Sequence, residues 1–158
     1  MTIVRPDTPE QWDQVRGLFR EYWASFDLSP CFQNFGVELA GLPGDYAPPR
    51  GTLGLAMVKG EPAGCVALRP FDERRGEFKR LFVRPAFRGH GVGRALMEWI
   101  MAEARRLGYS EIVADTLPQM ADALAMYDRA GFERTGPYAG DPTPGAIYLR
   151  YILVGCAT

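Results

Sequence analysis

One segment of this chain, residues 77–94, constrains the fold more than any other. It begins as a run of β-forming residues, passes through a short loop and reaches three glycines within five residues, Gly89, Gly91 and Gly93. An apolar stripe at helical spacing follows and stops at Gly108. Glycines at the start of a helix leave backbone N–H groups exposed, and the helix dipole adds partial positive charge there. The segment therefore predicts a strand, a turn suited to phosphate, and a helix.

Two common phosphate-binding motifs do not describe this turn. A Rossmann G-x-G-x-x-G run counted from Gly89 requires a glycine at position 94, where the chain has Arg94. The G-x-x-x-x-G-K-[ST] pattern of a P-loop does not occur in the sequence. A dinucleotide-binding fold also needs alternating strands and helices from the start, whereas here a run of strand patterns precedes the turn.

Hydrophobic periodicity predicts the other elements. We expect helices over residues 8–26, 32–42, 92–107 and 120–130, and strands over residues 2–5, 52–58, 62–68, 77–83, 112–116, 132–136 and 146–154. Thr8 is the predicted N-cap of the first helix, with Gln11 closing a capping box. The order β-α-α-β-β-β-α-β-α-β-β predicts one α/β (α+β) domain over residues 1–158. Its central sheet is mixed and largely antiparallel, with about seven strands flanked by about four helices.

The net charge of −1 and the cysteine pattern exclude several classes of protein. A nucleic-acid partner is not expected, because such proteins usually carry a basic excess. Cys31, Cys65 and Cys156 are odd in number and far apart, which indicates neither a disulfide framework nor a zinc site, so no metal is expected. No run approaches the ~18 apolar residues that span a bilayer, and the charged N-terminus does not resemble a secretory signal. We therefore expect a cytoplasmic protein without a membrane partner.

Two motifs resemble those of one superfamily. The run Arg88-x-x-Gly91-x-Gly93 resembles the [Q/R]-x-x-G-x-[G/A] signature of the GNAT superfamily of N-acetyltransferases. Downstream, residues 115–118 and the pattern Tyr127-x-x-x-Gly131-Phe132 are similar to the second motif of that family. The resemblance covers residues 77–134 and implies a GNAT-like single domain.

The resemblance also implies acetyl-CoA as co-substrate and names the residues that would hold it. The pantetheine arm would lie along the predicted strand at Leu81, Phe82 and Val83, and the amide of Leu81 would donate to the thioester carbonyl. A backbone donor aimed at a developing oxyanion lowers the barrier by about a few kcal/mol. The pyrophosphate would rest on the glycine turn, formed by Arg88, Gly89, His90, Gly91, Val92, Gly93 and Arg94.

Glu77 lies eleven residues before Arg88, where several family members carry a general-base glutamate. An attacking ammonium group must lose a proton first, and a carboxylate can take it directly or through water. Strand alternation would place Glu77, Lys79, Leu81 and Val83 on one face of the strand. The alternative is an ion pair of Glu77 with Lys79 or Arg80 at a strand end.

Tyr127 stands where the family has its thiolate-protonating tyrosine. The alternative is a core aromatic residue on an amphipathic helix. Many relatives carry Asn seven residues before this tyrosine, whereas this chain has Met120, so a hydrogen bond to pantetheine is missing or replaced. His90, the only histidine, would lie beside pyrophosphate and contribute its backbone N–H rather than its ring.

The sequence leaves the acceptor open. An acyl-cysteine route needs an activating partner, and His90 is badly placed for Cys65 or Cys156, so direct attack in a ternary complex is favoured. Tyr22, Trp23, Phe26 and Phe32 are interpreted as core residues, with lining of an acceptor pocket as the alternative; the loop at residues 138–145 is a second candidate wall.

The predicted activity is acetyl-CoA-dependent N-acetyl transfer to a primary amine, on a small molecule or on an exposed protein amine. The alternative is an acyl-CoA-binding sensor module without turnover. A homodimer is left open.

Overall fold

The computed structural model of the chain describes residues 1–26, 34–138 and 144–153. The predictions for residues 27–33, 139–143 and 154–158 lie outside this description. They concern Cys31, Phe32, Cys156, the first residues of the predicted second helix and most of the predicted loop at 138–145.

The described residues form seven strands and four α-helices in the predicted order. The helices are α1 (Pro9–Ser25), α2 (Phe35–Ala40), α3 (Val92–Arg106) and α4 (Ala121–Ala130). The strands are β1 (Thr2–Val4), β2 (Thr52–Val58), β3 (Glu61–Pro70), β4 (Arg75–Val83), β5 (Glu111–Thr116), β6 (Glu133–Thr135) and β7 (Ile147–Ile152). Two short 3-10 turns lie at Gly44–Tyr46 and Pro85–Phe87.

Local sequence signals fix the start of α1 as predicted. The Thr8 hydroxyl accepts a hydrogen bond from the Gln11 amide at 3.1 Å, which satisfies one N–H group of the first turn. The Gln11 side chain reaches back to the amide of Asp7 at 2.9 Å, one residue earlier than in a standard capping box.

The seven strands make one sheet in the order β1-β2-β3-β4-β5-β7-β6. Neighbouring strands are antiparallel except β4 and β5, which are parallel and are joined by the crossover helix α3. The prediction of a mixed, largely antiparallel sheet is confirmed. Among the described residues, no helix is both long enough and apolar enough to cross a membrane.

Each face of the sheet carries its own hydrophobic core. The core on one face includes Leu96 and Ile100 of α3 together with Tyr127 of α4. The core on the other face includes Val15 and Phe19 of α1, and extends to α2. The sheet is therefore covered on both faces, with α3 and α4 on one side and α1 and α2 on the other.

A β-bulge in β4 overturns one detail predicted from the sequence. The register between β3 and β4 shifts between Cys65 and Ala67, and Arg80 adopts a left-handed φ of 60°. Leu81 packs in the α3-side core, whereas Lys79 stands opposite Ala67 of the α1-side core. The extra residue in a bulge reverses the facing of the residues after it. The prediction that Glu77 and Lys79 share a face with Leu81 and Val83 is therefore wrong.

The parallel pairing of β4 and β5 covers only part of their length. Residues 75–78 of β4 pair with residues 111–114 of β5, and the pairing stops there. The bulge at Arg80 lies just beyond that point on β4. The two strands consequently diverge and leave a wedge-shaped opening in the sheet.

Candidate active site

The opening between β4 and β5 forms a cleft lined by five elements. Residues 78–81 of β4 and 115–117 at the end of β5 form its sides. Tyr127 of α4 closes it on one face of the sheet, and Tyr22 of α1 with Phe35 of α2 closes it on the other. A ligand in this cleft would contact main-chain groups of β4 and aromatic side chains from both faces.

The pairing of β4 with β3 determines which main-chain groups face the opening. The amide of Arg84 donates to the Ala63 carbonyl at 2.8 Å, so Arg84 and, two residues earlier, Phe82 direct their N–H and C=O groups toward β3. Val83, and by alternation Leu81, direct theirs toward the cleft. The Val83 carbonyl there accepts a hydrogen bond from Arg88 Nε at 3.0 Å.

The backbone at two of the three glycines in the turn is open enough for a ligand to approach it closely. Gly89 and Gly91 have φ values of 80° and 81°, a region that favours glycine. A Cβ atom on either would meet no other atom within 4 Å, so both border open space. Gly91 is the N-cap of α3 and offers no side-chain cap. Because the first N–H groups of a helix have no partner inside it, those of Val92 and Gly93 remain free for a ligand.

Gly93 has a different role from its neighbours. A Cβ atom there would overlap with Met126 Sδ on α4. This glycine therefore allows α3 and α4 to pack closely, and it faces protein rather than solvent.

The basic side chains near the turn are already engaged or exposed. Arg88 spans from the Val83 carbonyl to within 3.5 Å of the Asp122 carboxylate. Arg94 pairs with Glu98 on the exposed face of α3, and the ring of His90 is exposed. The turn thus offers backbone amides rather than a cluster of free cations.

Tyr127 lies in the wall of the cleft with 3% of its surface exposed. Its ring packs edge-on against Phe132 at 4.9 Å between centroids. Burial raises the pKa of Tyr127 well above its usual range, and nearby Tyr22 and the Asp115 and Glu77 carboxylates raise it further. The phenol is therefore protonated at neutral pH and holds a proton that it can donate.

Glu77 is 5% exposed and its carboxylate is surrounded by donors. One oxygen accepts from Arg69 Nε at 2.9 Å and the other from the Tyr138 hydroxyl at 2.7 Å. Lys79 Nζ lies 3.4 Å from that second oxygen. Burial opposes the charge of Arg69, but the Glu77 carboxylate raises the pKa of that guanidinium overall.

A second ion pair spans the point where β4 and β5 separate. Lys79 Nζ donates to Asp115 Oδ1 at 2.7 Å, and Lys79 is only 6% exposed. The pair joins the two strands one residue beyond their last main-chain pairing at Phe78 and Ala114. Its charges lie at the base of the cleft.

The bulge residue Arg80 is anchored to α2. Its Nε and Nη2 atoms donate to the two carboxylate oxygens of Glu38 at 2.8 and 2.9 Å. Its guanidinium also lies over the ring of Phe35, 4.3 Å from the centroid. A bidentate, charge-assisted pair stabilises this side chain, and with it a backbone conformation that costs about 1–3 kcal/mol in a non-glycine residue.

The comparison with known sequences identifies this arrangement. The sequence model of the Acetyltransferase (GNAT) family matches residues 12–132, which include the cleft and the glycine turn. The chain belongs to the GNAT acetyltransferase family.

Individual relatives of this GNAT protein agree with that assignment. An uncharacterized N-acetyltransferase of Schizosaccharomyces pombe is 38% identical over 152 residues, which cover 95% of this chain and 93% of the relative. An acetyltransferase structure from Streptococcus agalactiae superposes with a TM-score of 0.80 at 22% identity, covering 96% of this chain and 98% of that one. A GNAT acetyltransferase from Elizabethkingia anophelis, solved with acetyl-CoA bound, matches with a TM-score of 0.56 and 26% identity over 66% of this chain and 77% of its own.

Among the predicted site residues of this GNAT protein, Leu81 and Tyr127 line the cleft. Leu81 and Val83 face the opening, the glycine turn lies beyond the end of β4, and Tyr127 closes one side. Phe82 packs into the α1-side core and directs its main chain at β3. Glu77 lies below the cleft on the α1 side, within a network of ion pairs.

Several contacts of the GNAT site are not identified by the sequence pattern. The sequence singles out the segments that contain Tyr138 and Asp115, but not Glu38. The contacts of the three join residues 61, 36 and 42 positions apart, which no local pattern reveals. The pattern places Thr116 at the end of a strand and gives no sign that it lies beyond the last residue that pairs with β4. Only the end of that pairing, visible in three dimensions, marks it as a cleft residue.

Cys65 is fully buried, and its surroundings keep it unreactive. Its thiol donates to the Arg80 carbonyl at 3.3 Å, and burial raises its pKa well above the usual range. Within the described ranges, no group of histidine, cysteine and acidic side chains is arranged to hold a metal ion.

Proposed function

We propose that this GNAT protein is an acetyl-CoA-dependent N-acetyltransferase whose acceptor, a primary amine, attacks the thioester directly in a ternary complex. One observation carries the proposal: the cleft where β4 and β5 separate is lined by the buried phenol of Tyr127, and the open glycine turn follows the end of β4. The carboxylate of Glu77 lies below this cleft, 3.4 Å from Nζ of the lining residue Lys79. The acetyl-CoA bound to the relative from Elizabethkingia anophelis supports the choice of co-substrate.

The residues of the cleft fit the parts of acetyl-CoA. Gly89 and Gly91 border open space at a helix N-terminus, which suits a pyrophosphate. The main-chain groups of Leu81 and Val83 face the opening and suit an extended amide chain that adds to the edge of β4. Acetyl-CoA supplies the activated acyl group, and the amide of Leu81 is the proposed donor to its carbonyl oxygen.

Tyr127 is the proposed general acid. Its phenol is buried, protonated and lies in the wall of the cleft. As the tetrahedral intermediate collapses and its C–S bond breaks, the phenol gives its proton to sulfur, so that CoA leaves as a thiol and Tyr127 is left as a phenolate. General acids typically contribute about 10²–10⁴-fold.

Glu77 is the proposed base, acting through a neighbour. Both of its oxygens already accept hydrogen bonds, from Arg69 and from Tyr138. A proton from the amine therefore passes to the oxygen of Tyr138 while the Tyr138 hydroxyl proton passes to Glu77, or the amine displaces one of the donors. Lys79 and Arg69 balance the charge of the network.

Direct attack is preferred to an acyl-cysteine route. The Cys65 thiol is protonated, buried and directed at the carbonyl of Arg80. A thiol is a poor nucleophile in this state, because the thiolate is the reactive form.

The acceptor would enter on the α1–α2 side, where Tyr22 and Phe35 line the cleft opposite Tyr127. We propose a small-molecule amine or an exposed protein amine. The decisive experiment measures thiol release from acetyl-CoA against polyamines, amino acids, aminoglycosides and peptide N-termini. Amine-dependent release supports the proposal. Tight binding of acetyl-CoA without release with any amine would support the sensor alternative instead.

A further inference from the structure

Three buried side-chain polar atoms have no hydrogen-bond partner among the described residues: Trp23 Nε1, Thr52 Oγ1 and Thr116 Oγ1. Buried polar groups in folded proteins are nearly always satisfied, and leaving one unpaired costs free energy. Such a group is retained more readily where a ligand satisfies it. An unpaired atom that borders a cavity is therefore a candidate ligand contact.

Thr116 alone of the three lines the cleft. It is the last residue of β5 and stands opposite Ile147 of β7, beyond the end of the pairing with β4. Because side chains alternate along a strand, Thr116 shares a face with Ala114, which packs in the α3-side core. Its hydroxyl therefore lies on the same side of the sheet as Tyr127, with 4% of the residue exposed.

The wall around Thr116 is otherwise mostly apolar. Leu117, Met120 and Ala123 line the same cleft, and the sulfur of Met120 already accepts a hydrogen bond from Tyr22 at 3.5 Å. From β5 to α4, the polar side chains of the lining are Asp115, which is paired with Lys79, and the hydroxyls of Thr116 and Tyr127. A wall of this kind suits a ligand chain that alternates methylene and amide groups.

We propose that the Thr116 hydroxyl hydrogen bonds an amide of the pantetheine arm of acetyl-CoA. The inference rests on the proposed function, since it assumes acetyl-CoA in this cleft. A hydroxyl both donates and accepts, so it can meet either the N–H or the C=O of an amide. Thr116 faces the arm from β5, opposite the main-chain groups of β4, and acts as a positioning residue.

The proposal predicts that one substitution raises the stability of the free protein and lowers its affinity for acetyl-CoA. Thr116→Val keeps the volume and removes the unpaired hydroxyl, so the protein without ligand should melt at a higher temperature than the wild type. The same variant should bind acetyl-CoA about fivefold more weakly, because one hydrogen bond to the ligand is lost. Calorimetric titration with acetyl-CoA and thermal melting of the free protein measure the two effects.

Two matched variants make the test specific. Thr52→Val removes the same kind of buried, unpaired hydroxyl on β2, where Thr52 does not line the cleft. It should raise the melting temperature and leave acetyl-CoA affinity unchanged. Thr116→Ser retains the hydroxyl and should bind acetyl-CoA within about twofold of the wild type.

Each outcome separates this inference from the proposed function. If the wild type binds acetyl-CoA and Thr116→Val binds it equally well, the role of Thr116 is refuted while the proposed function stands. If Thr52→Val and Thr116→Val weaken binding to the same extent, the effect is indirect and the inference also fails. A wild type that does not bind acetyl-CoA would overturn both proposals.

Discussion

At the scale of single residues, the carboxylates of Asp115 at the base of the cleft and of Glu77 below it already have charged or hydrogen-bonding partners. Glu77 is shared by Arg69, Lys79 and Tyr138, and Asp115 accepts from Lys79. Ion pairs of this kind serve either structure or proton transfer, and position alone does not separate the two roles. The dependence of the acetyl-transfer rate on pH distinguishes a structural carboxylate from one that transfers a proton.

Glu77→Gln should lower turnover near neutral pH and move the rising limb of the pH–rate profile to higher pH. The amide cannot accept the amine proton, so the reaction waits for free amine supplied by solvent. The substitution also disturbs the hydrogen bonds of Arg69 and Tyr138, at a cost of about 1–3 kcal/mol in stability. Rates measured across neutral and alkaline pH, with thermal melting alongside, give both quantities.

Tyr138→Phe tests whether the amine proton reaches Glu77 through the Tyr138 hydroxyl. If the proton passes through the Tyr138 hydroxyl, this variant should shift the profile in the same direction as Glu77→Gln. A loss of stability in Glu77→Gln with an unchanged profile would assign Glu77 to a structural ion pair.

Tyr127→Phe should lower turnover at least about tenfold and leave acetyl-CoA affinity nearly intact, because it removes the acidic proton and keeps the ring. Tyr151→Phe is a matched control, since both tyrosine rings pack on Phe132 and only Tyr127 lines the cleft. We expect the control to retain wild-type turnover. Wild-type turnover in Tyr127→Phe as well as in the control would mean that Tyr127 contributes packing alone.

At the scale of elements, the glycine turn and α3 were predictable because their signal is local. Three glycines, an apolar stripe and a terminal glycine lie within one short stretch of sequence. The bulge in β4 was not predictable, because the left-handed conformation of Arg80 is held by Glu38, 42 positions earlier, and by the ring of Phe35. A simple alternation rule therefore fails beyond Lys79.

The two ends of α3 allow a controlled test of the glycine turn. Gly91→Val should raise the dissociation constant of acetyl-CoA at least about tenfold, because a branched side chain enters the space required by the pyrophosphate. Gly108→Val is the control: Gly91 and Gly108 have φ values of 81° and 87°, and both border open space. Both variants carry similar backbone strain, of about 1–3 kcal/mol.

Only Gly91→Val should lose affinity in a titration with acetyl-CoA. Normal affinity in that variant would move the ligand site away from the turn. A comparable loss in Gly108→Val would attribute the effect to strain in α3.

At the scale of the whole molecule, the fold was largely predictable and the acceptor side of the site was not. The order of strands and helices follows from local periodicity and turn residues, and the crossover from β4 to β5 through α3 places the glycine turn at the end of β4. The network of Glu77, Lys79 and Asp115 depends on how β4 and β5 meet in space. Sequence spacing carries little information about that geometry.

Acetyl-CoA should stabilise the whole domain, because a ligand that binds only the native state shifts the unfolding equilibrium. At a hundredfold excess over the dissociation constant, the stabilisation is about 2.7 kcal/mol. For a domain of 158 residues this corresponds to about 5–10 °C in melting temperature. Thermal melting with and without acetyl-CoA tests it, with acetate as the control; an unchanged midpoint would contradict the predicted site.

The parallel pairing of β4 with β5 affects the order in which the sheet forms during folding. The strands β2, β3 and β4 succeed one another as hairpins, so their pairing closes only short loops. Lys79 and Asp115 are 36 positions apart, and joining them requires the intervening chain to be ordered first. We expect amides of β3 to gain protection before those of residues 112–114 in pulsed hydrogen exchange during refolding. The wedge that holds the active site thus takes its shape after the hairpins of β2, β3 and β4.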